Sequence, residues 1–179
     1  MQLAKQFLLY IFITVFISCA PETSVLSEVQ LFDINKFFLA EIEKLEQENK
    51  NLDKTIVVKS KSESINIESP NWKKEFQLFL ETDISSKTYI DQYKVDTINN
   101  SIQYKALNEK LSIRDLQVKY SDNKFSQVTE ISILKKTENV ISKMEQLLNY
   151  KAGKNYSFQI NQKMPFIKAY ELTCKGIIE

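Results

Sequence analysis

From Gln92 to the end of the chain the apolar residues change step and begin to alternate. Seven segments carry this period of two: YKVDTI, SIQYKAL, LSIRDLQVKY, KFSQVTEISILKK, NVISKMEQLLNY, NYSFQINQK and PFIKAYELTCKGII. Alternation sends successive side chains to opposite faces, so each segment reads as a strand with one apolar face. The separators are short and polar: Ser121-Asp122-Asn123, Thr137-Glu138-Asn139, Lys151-Ala152-Gly153-Lys154 and Lys163-Met164-Pro165. Strands joined this tightly pair antiparallel with their sequence neighbours. The expectation is a meander with Val118, Tyr120, Ile131, Ile133, Met144, Leu148, Phe158, Ile160 and Leu172 turned inward.

Upstream the period differs. In residues 30–52, Leu31, Ile34, Phe38, Ile42, Leu45 and Leu52 recur at steps of three and four, interrupted by Asn49. That is one helical stripe, packed on the protein's own sheet in preference to a coiled-coil partner. TIVVKSKSESINI, residues 55–67, reads as a hairpin of Thr55–Lys59 against Ser64–Ile67. A second helix follows, capped by Ser69 with Pro70 at its first position and ending near Asp83. Its buried face is Trp72, Phe76, Phe79 and Leu80. The expected fold is therefore α+β: two N-terminal helices and a hairpin packed on a curved antiparallel meander sheet of about six to seven strands.

Composition removes several classes of function. The chain has no histidine, hence no imidazole base, ligand or near-neutral switch. Two glycines, Gly153 and Gly176, cannot build a phosphate-cradling loop. The second cysteine, Cys174, is alone in the domain and reads as a buried structural thiol. Zinc and calcium patterns are absent, so no metal or cofactor is expected. Without residues 1–18 the charges balance at 23 basic and 23 acidic, which gives no long-range pull toward nucleic acid. SDNK, Ser121 to Lys124, matches both S-x-x-K and S-D-N. It is one turn between two strands, and Asp and Asn serve a turn's own backbone bonds. No catalytic residue is assigned, and the chain is expected not to be an enzyme.

The N-terminus carries the most specific signal. Phe7 to Ile17 is apolar behind Lys5. As a helix it reaches roughly 17 Å, short of a ~30 Å hydrocarbon core, and it fits the apolar region of a secretory signal. Phe16-Ile17-Ser18-Cys19 resembles a bacterial lipobox, with Phe16 where the pattern has an aliphatic residue. The resemblance implies cleavage before Cys19, a diacylglyceryl group on its sulfur and an acylated amine. Each buried CH₂ contributes about 0.8 kcal/mol, so two or three chains hold a protein at a bilayer. The expected organisation is 1–18 signal peptide, 19–29 lipidated cysteine and short tether, and 30–179 a single domain. With Ala20 in place of a retention aspartate, and Glu22 standing alone, the lipobox implies an outer-membrane, periplasm-facing anchor.

The mature chain also resembles uncharacterised small lipoproteins of Bacteroidota. The carrying features are FISC at 16–19, the acidic helix Phe32 to Asn49, NWKKEFQLF from Asn71 and YKVD from Tyr93. That resemblance implies place and class, not activity. Two functions fit. One is a lipid-anchored binding or structural domain with an envelope protein as partner. The other is a carrier or sensor of a lipid, with Trp72, Phe76, Phe79, Tyr89, Tyr93 and Tyr104 lining an apolar pocket between sheet and helices.

Overall fold

The computed structural model describes residues 31–179; the signal-like segment, Cys19 and the tether lie outside the described residues. Nine strands form one antiparallel sheet: β1 (Leu52–Val58), β2 (Lys61–Ile67), β3 (Tyr93–Ile98), β4 (Ser101–Ala106), β5 (Ile113–Tyr120), β6 (Val128–Glu138), β7 (Lys143–Lys151), β8 (Asn155–Met164) and β9 (Ile167–Ile178). Their order is β2-β1-β9-β8-β7-β6-β5-β4-β3. The helical parts are α1 (Ile34–Gln47), the single turns α2 (Trp72–Glu75) and α3 (Gln77–Leu80), and a 3₁₀ stretch, Lys87–Gln92.

This corrects the expected α+β class: the protein is mainly β, with a few short helices. The seven alternating segments are β3 to β9, but the hairpin does not pack on their sheet. It extends it. β1 pairs along β9 from Leu52↔Ile178 to Val58↔Leu172, which raises the strand count to nine. A lone hairpin is marginal in water, and joining a sheet edge satisfies its outer backbone groups.

The second helix is also different. Asn71, not Ser69, caps it by accepting from the Lys74 N–H at 2.9 Å, and Ser69 sits at φ 52. Phe76 breaks the helix into two turns, and Thr82 ends it by sending both its N–H and its hydroxyl to the Phe79 carbonyl. Aromatic residues are mediocre helix formers, and a hydroxyl that bonds the backbone competes with the helical ladder.

α1 runs shorter than the apolar stripe suggests. Asp33 caps it, accepting from the Lys36 N–H at 2.7 Å. Asn49 at φ 51 stops it, with Lys50 N–H reaching back to the Leu45 carbonyl. That is the left-handed helix stop for which Asn is suited after Gly. The residue that interrupts the stripe is the one that ends the helix, leaving Leu52 free to open β1.

Strand register divides the sheet into two faces. One row across seven strands is Ile56, Cys174, Phe158, Leu148, Ile133, Leu116 and Tyr104. The next is Lys54, Gly176, Tyr156, Tyr150, Ile131, Val118 and Ile102. Most of these are buried, and they are the floor on which α1, α2 and α3 lie. Of the expected inward set, Val118, Ile131, Ile133 and Leu148 are fully buried; Tyr120, Met144, Phe158, Ile160 and Leu172 are half-buried.

Gly176 has a specific reason to lack a side chain. A Cβ there would lie 2.3 Å from Cε1 of the Tyr156 ring and 2.9 Å from Leu52 Cδ1. Gly176→Ala should destabilise the domain by about 1–3 kcal/mol, the usual cost of overpacking, read as a lower urea midpoint. An unchanged midpoint means the ring is not held against this backbone.

Candidate functional site

Three of the six aromatic residues proposed for a pocket come together under α1. Phe38 of α1 stacks on Phe79 with centroids 4.6 Å apart and tilts against Phe76 and Tyr150 at 5.2 and 5.1 Å. Trp72 lies 5.8 Å from Phe76, which meets Tyr156 edge-on at 5.7 Å. Trp72, Phe76 and Phe79 are fully buried, so these rings fill one another's space. Tyr89 and Tyr93 form a separate edge-on pair by the 3₁₀ stretch, and the Tyr93 hydroxyl donates to the Ile113 carbonyl at 3.0 Å. Tyr104 is buried on β4, its hydroxyl against the Phe32 backbone. Cys19 lies outside the described residues.

The polar groups inside this core tie helices to sheet. The Tyr150 hydroxyl donates to Glu41 Oε2 on α1 at 2.5 Å and accepts from the Gly153 N–H. The Tyr156 hydroxyl donates to Glu75 Oε2 on α2 at 2.5 Å, and Lys54 Nζ on β1 reaches the same oxygen at 2.6 Å. Burial, then the facing carboxylate, holds both phenols far above their ordinary acidity range. Burial pushes Tyr93 and Tyr104 up to about 12, and the Cys174 thiol up to about 11. All of these groups are neutral donors at neutral pH, suited to holding structure rather than to moving protons. Sequence reasoning missed Glu41, Glu75 and Lys54; Glu41 stands beside the apolar stripe on α1, which was its only signal.

Among the described residues the opposite face carries no helix. A hollow of about 720 Å³ crosses β2, β1, β9 and β8 there, lined by Asp53, Thr55, Ser64, Asn66, Asn155, Ser157 and Lys175 among others. Asn66 donates to Asp53 at 2.5 Å, and the Thr55 and Ser64 hydroxyls are bonded at 2.9 Å. These groups offer hydrogen bonds to a ligand, and the exposed side chains of Ile65 and Ile177 line the same hollow.

The helices also stop short of one end of the sheet. Beyond the buried rows come Tyr170, Gln162, Met144 and Thr137, one row of the inner face left open. A hollow of about 450 Å³ is lined by these four among others, with Arg114, which sits at a β-bulge of β5, and with both lysines and glutamates at its rim. Arg114 Nε is buried without a hydrogen-bond partner among the described residues, and so is Gln146 Oε1 one row inward. Two of the turns at this end, Asn139–Ser142 and Pro165-Phe166, expose apolar side chains. The sequence expectation put these turns at 137–139 and 163–165. Apolar letters at a turn were the missed signal.

No protein-family model, curated protein or solved structure matches the chain. Among the described residues there is no cluster of three metal-ligating side chains. None of the described helices is long and apolar enough to cross a membrane.

Glu75→Ala should cost about 3–5 kcal/mol, because it strands the largely buried Lys54 ammonium. Tyr156→Phe, which leaves that pair intact, should cost about 1.5–3 kcal/mol; equal midpoints for the two variants would refute the shared-oxygen arrangement. Stability should also depend on alkaline pH. With folded values raised, the unfolded chain binds fewer protons above pH 9 for Cys174 and above pH 10 for the tyrosines. The urea midpoint should be flat through neutral pH, then fall as pH rises from 9 to 12. Cys174→Ala should remove the fall between 9 and 10 and leave the tyrosine part above 10.

Proposed function

We propose that the protein is a lipoprotein of the bacterial envelope, anchored through Cys19, whose domain binds a partner and does not catalyse. The observation that carries this reading is the outer face, which no helix of the described residues covers, with its 720 Å³ hollow. The side chains that the fold perturbs most, Tyr150 and Tyr156, are spent on holding α1 and α2 down. The groups offered outward at the hollow are amides, hydroxyls, Asp53 and Lys175, which suit hydrogen bonding to a polar surface of an envelope protein. The lipobox resemblance at 16–19 supports the anchor and an outer-membrane, periplasm-facing location; the likeness to small Bacteroidota lipoproteins supports the same class.

Carriage of an apolar ligand is the second reading. Trp72, Phe76 and Phe79 leave each other no vacancy, which counts against a lipid between sheet and helices. The open hollow of about 450 Å³, with Met144 and Tyr170 beside Arg114, favours it as a site for an amphiphile with an anionic head.

The anchor is tested by feeding tritiated palmitate to cells expressing the chain. Label should enter the wild-type protein and vanish in Cys19→Ser, which should leave the membrane fraction or keep residues 1–18. Equal labelling of both chains refutes the anchor. Native mass spectrometry of the domain from membranes separates the two functions: a bare mass supports partner binding, and a stoichiometric addition of several hundred daltons supports the carrier.

A further inference from the structure

Hairpin turns of folded domains are ordinarily polar, because a turn lies farthest from the core. Two turns of this sheet depart from that. Between β6 and β7, Val140 is 98% exposed and Ile141 69%. Between β8 and β9, Phe166 is fully exposed and Ile167 is 62% exposed. Lys143 at the start of β7 pairs with Lys163 near the end of β8, so the turns stand side by side at the end that α1, α2 and α3 do not cover.

The second turn also has backbone strain. Met164 pairs with Ile167, leaving Pro165 and Phe166 at the centre, and Phe166 has φ 64. Proline followed by a positive φ is the pattern of a type II turn, whose third position ordinarily goes to Gly or Asn. A bulky side chain is disfavoured in that region. Phe166 therefore neither packs within the chain nor suits its turn, and such strain collects where a residue meets something outside.

Charge and shape identify what that is. Lys59, Lys163 and Lys168 are exposed around these turns, and none has an acidic partner within salt-bridge distance among the described residues. Lys143 is paired with Glu138. Projecting apolar tips ringed by ammonium groups fit a bilayer with anionic phosphates: the tips enter the acyl boundary and the lysines stay at the headgroups. A fluid surface also needs no socket shaped to receive them.

The chain length before the domain allows it. Residues 20–30 span at most about 40 Å. The described chain begins against Tyr104. From that row, Phe158 to Pro165 along β8 is on the order of 23 Å. We infer that Val140-Ile141 and Phe166-Ile167 dip into the lipid surface and hold the sheet end-on to the membrane. This deepens the envelope-lipoprotein reading and rests on it for which membrane is met.

The test places an environment-sensitive fluorophore on Phe166→Cys, on Val140→Cys and, as a control on the polar face, on Gln159→Cys. Cys174 is buried and stays unlabelled. The full chain is reconstituted in phosphatidylethanolamine and phosphatidylglycerol vesicles with nitroxide-labelled acyl chains. The two tip probes should be blue-shifted and quenched and the Gln159→Cys probe should not. Water-like emission at all three overturns the inference, and so does a blue-shifted tip that the nitroxides do not quench, which indicates a protein partner. Phe166→Gly suits the turn and should leave the urea midpoint unchanged or higher. In that background the inserted fraction at Val140→Cys should fall about tenfold relative to the uninserted one; no change overturns the role of Phe166. Failure of the anchor reading registers separately, as a second fluorophore on an unacylated Cys19, and the tips are then measured in Cys19→Ser.

Discussion

One carboxylate oxygen fixes how the layers of this protein sit together. Glu75 Oε2 receives both the Lys54 ammonium and the Tyr156 hydroxyl, so a single-turn helix, strand β1 and strand β8 meet at one atom. Apolar contacts alone would let a four-residue helix slide over the sheet, because burial has no direction. A short charge-assisted bond does have direction. With α2 fixed, Trp72 and Phe76 are fixed, and the ring of Phe38 can fit only where they leave room. Tyr156 in turn lies over Gly176, so the geometry of the knot also leaves no room for a Cβ at that position.

Much of the sheet is legible in the sequence because a period of two is a local signal. β3 to β9 follow from alternation and short turns, each strand pairing with the next. The place of the hairpin is not legible. Leu52 pairs with Ile178, a partner chosen by what remains open at the end of the meander and not by anything near residue 52. The break at Phe76 is hidden for another reason: an apolar face at helical spacing looks the same whether the backbone runs on or pauses. The proposed aromatic pocket shows the limit of residue type as a guide. Trp72, Phe76 and Phe79 are as suited to filling a core as to lining a cavity, and only the positions of Phe38, Tyr150 and Tyr156 decide.

The two ends of the inner face have different chemistry because the helices cover only one. Where α1 to α3 lie, phenols and carboxylates pair and rings close ranks. Where they stop, Arg114 Nε and Gln146 Oε1 lack partners among the described residues, and apolar turns face outward. The polar outer face and the apolar end are thus separate surfaces, and one domain can address two neighbours with them. Edge strand β2 supports this division: its exposed Lys, Ser and Glu side chains discourage another chain from extending the sheet.

The pairing of β1 with β9 has a consequence for how the protein is made. An early hairpin whose sheet partner is the last strand stays unsupported until the final residues are synthesised. Until then β4 to β8 can pair with one another, but the floor lacks Cys174 and Gly176, and Leu52 has no strand to lie along. The last strand made is thus the one that joins the two ends of the chain into a single sheet.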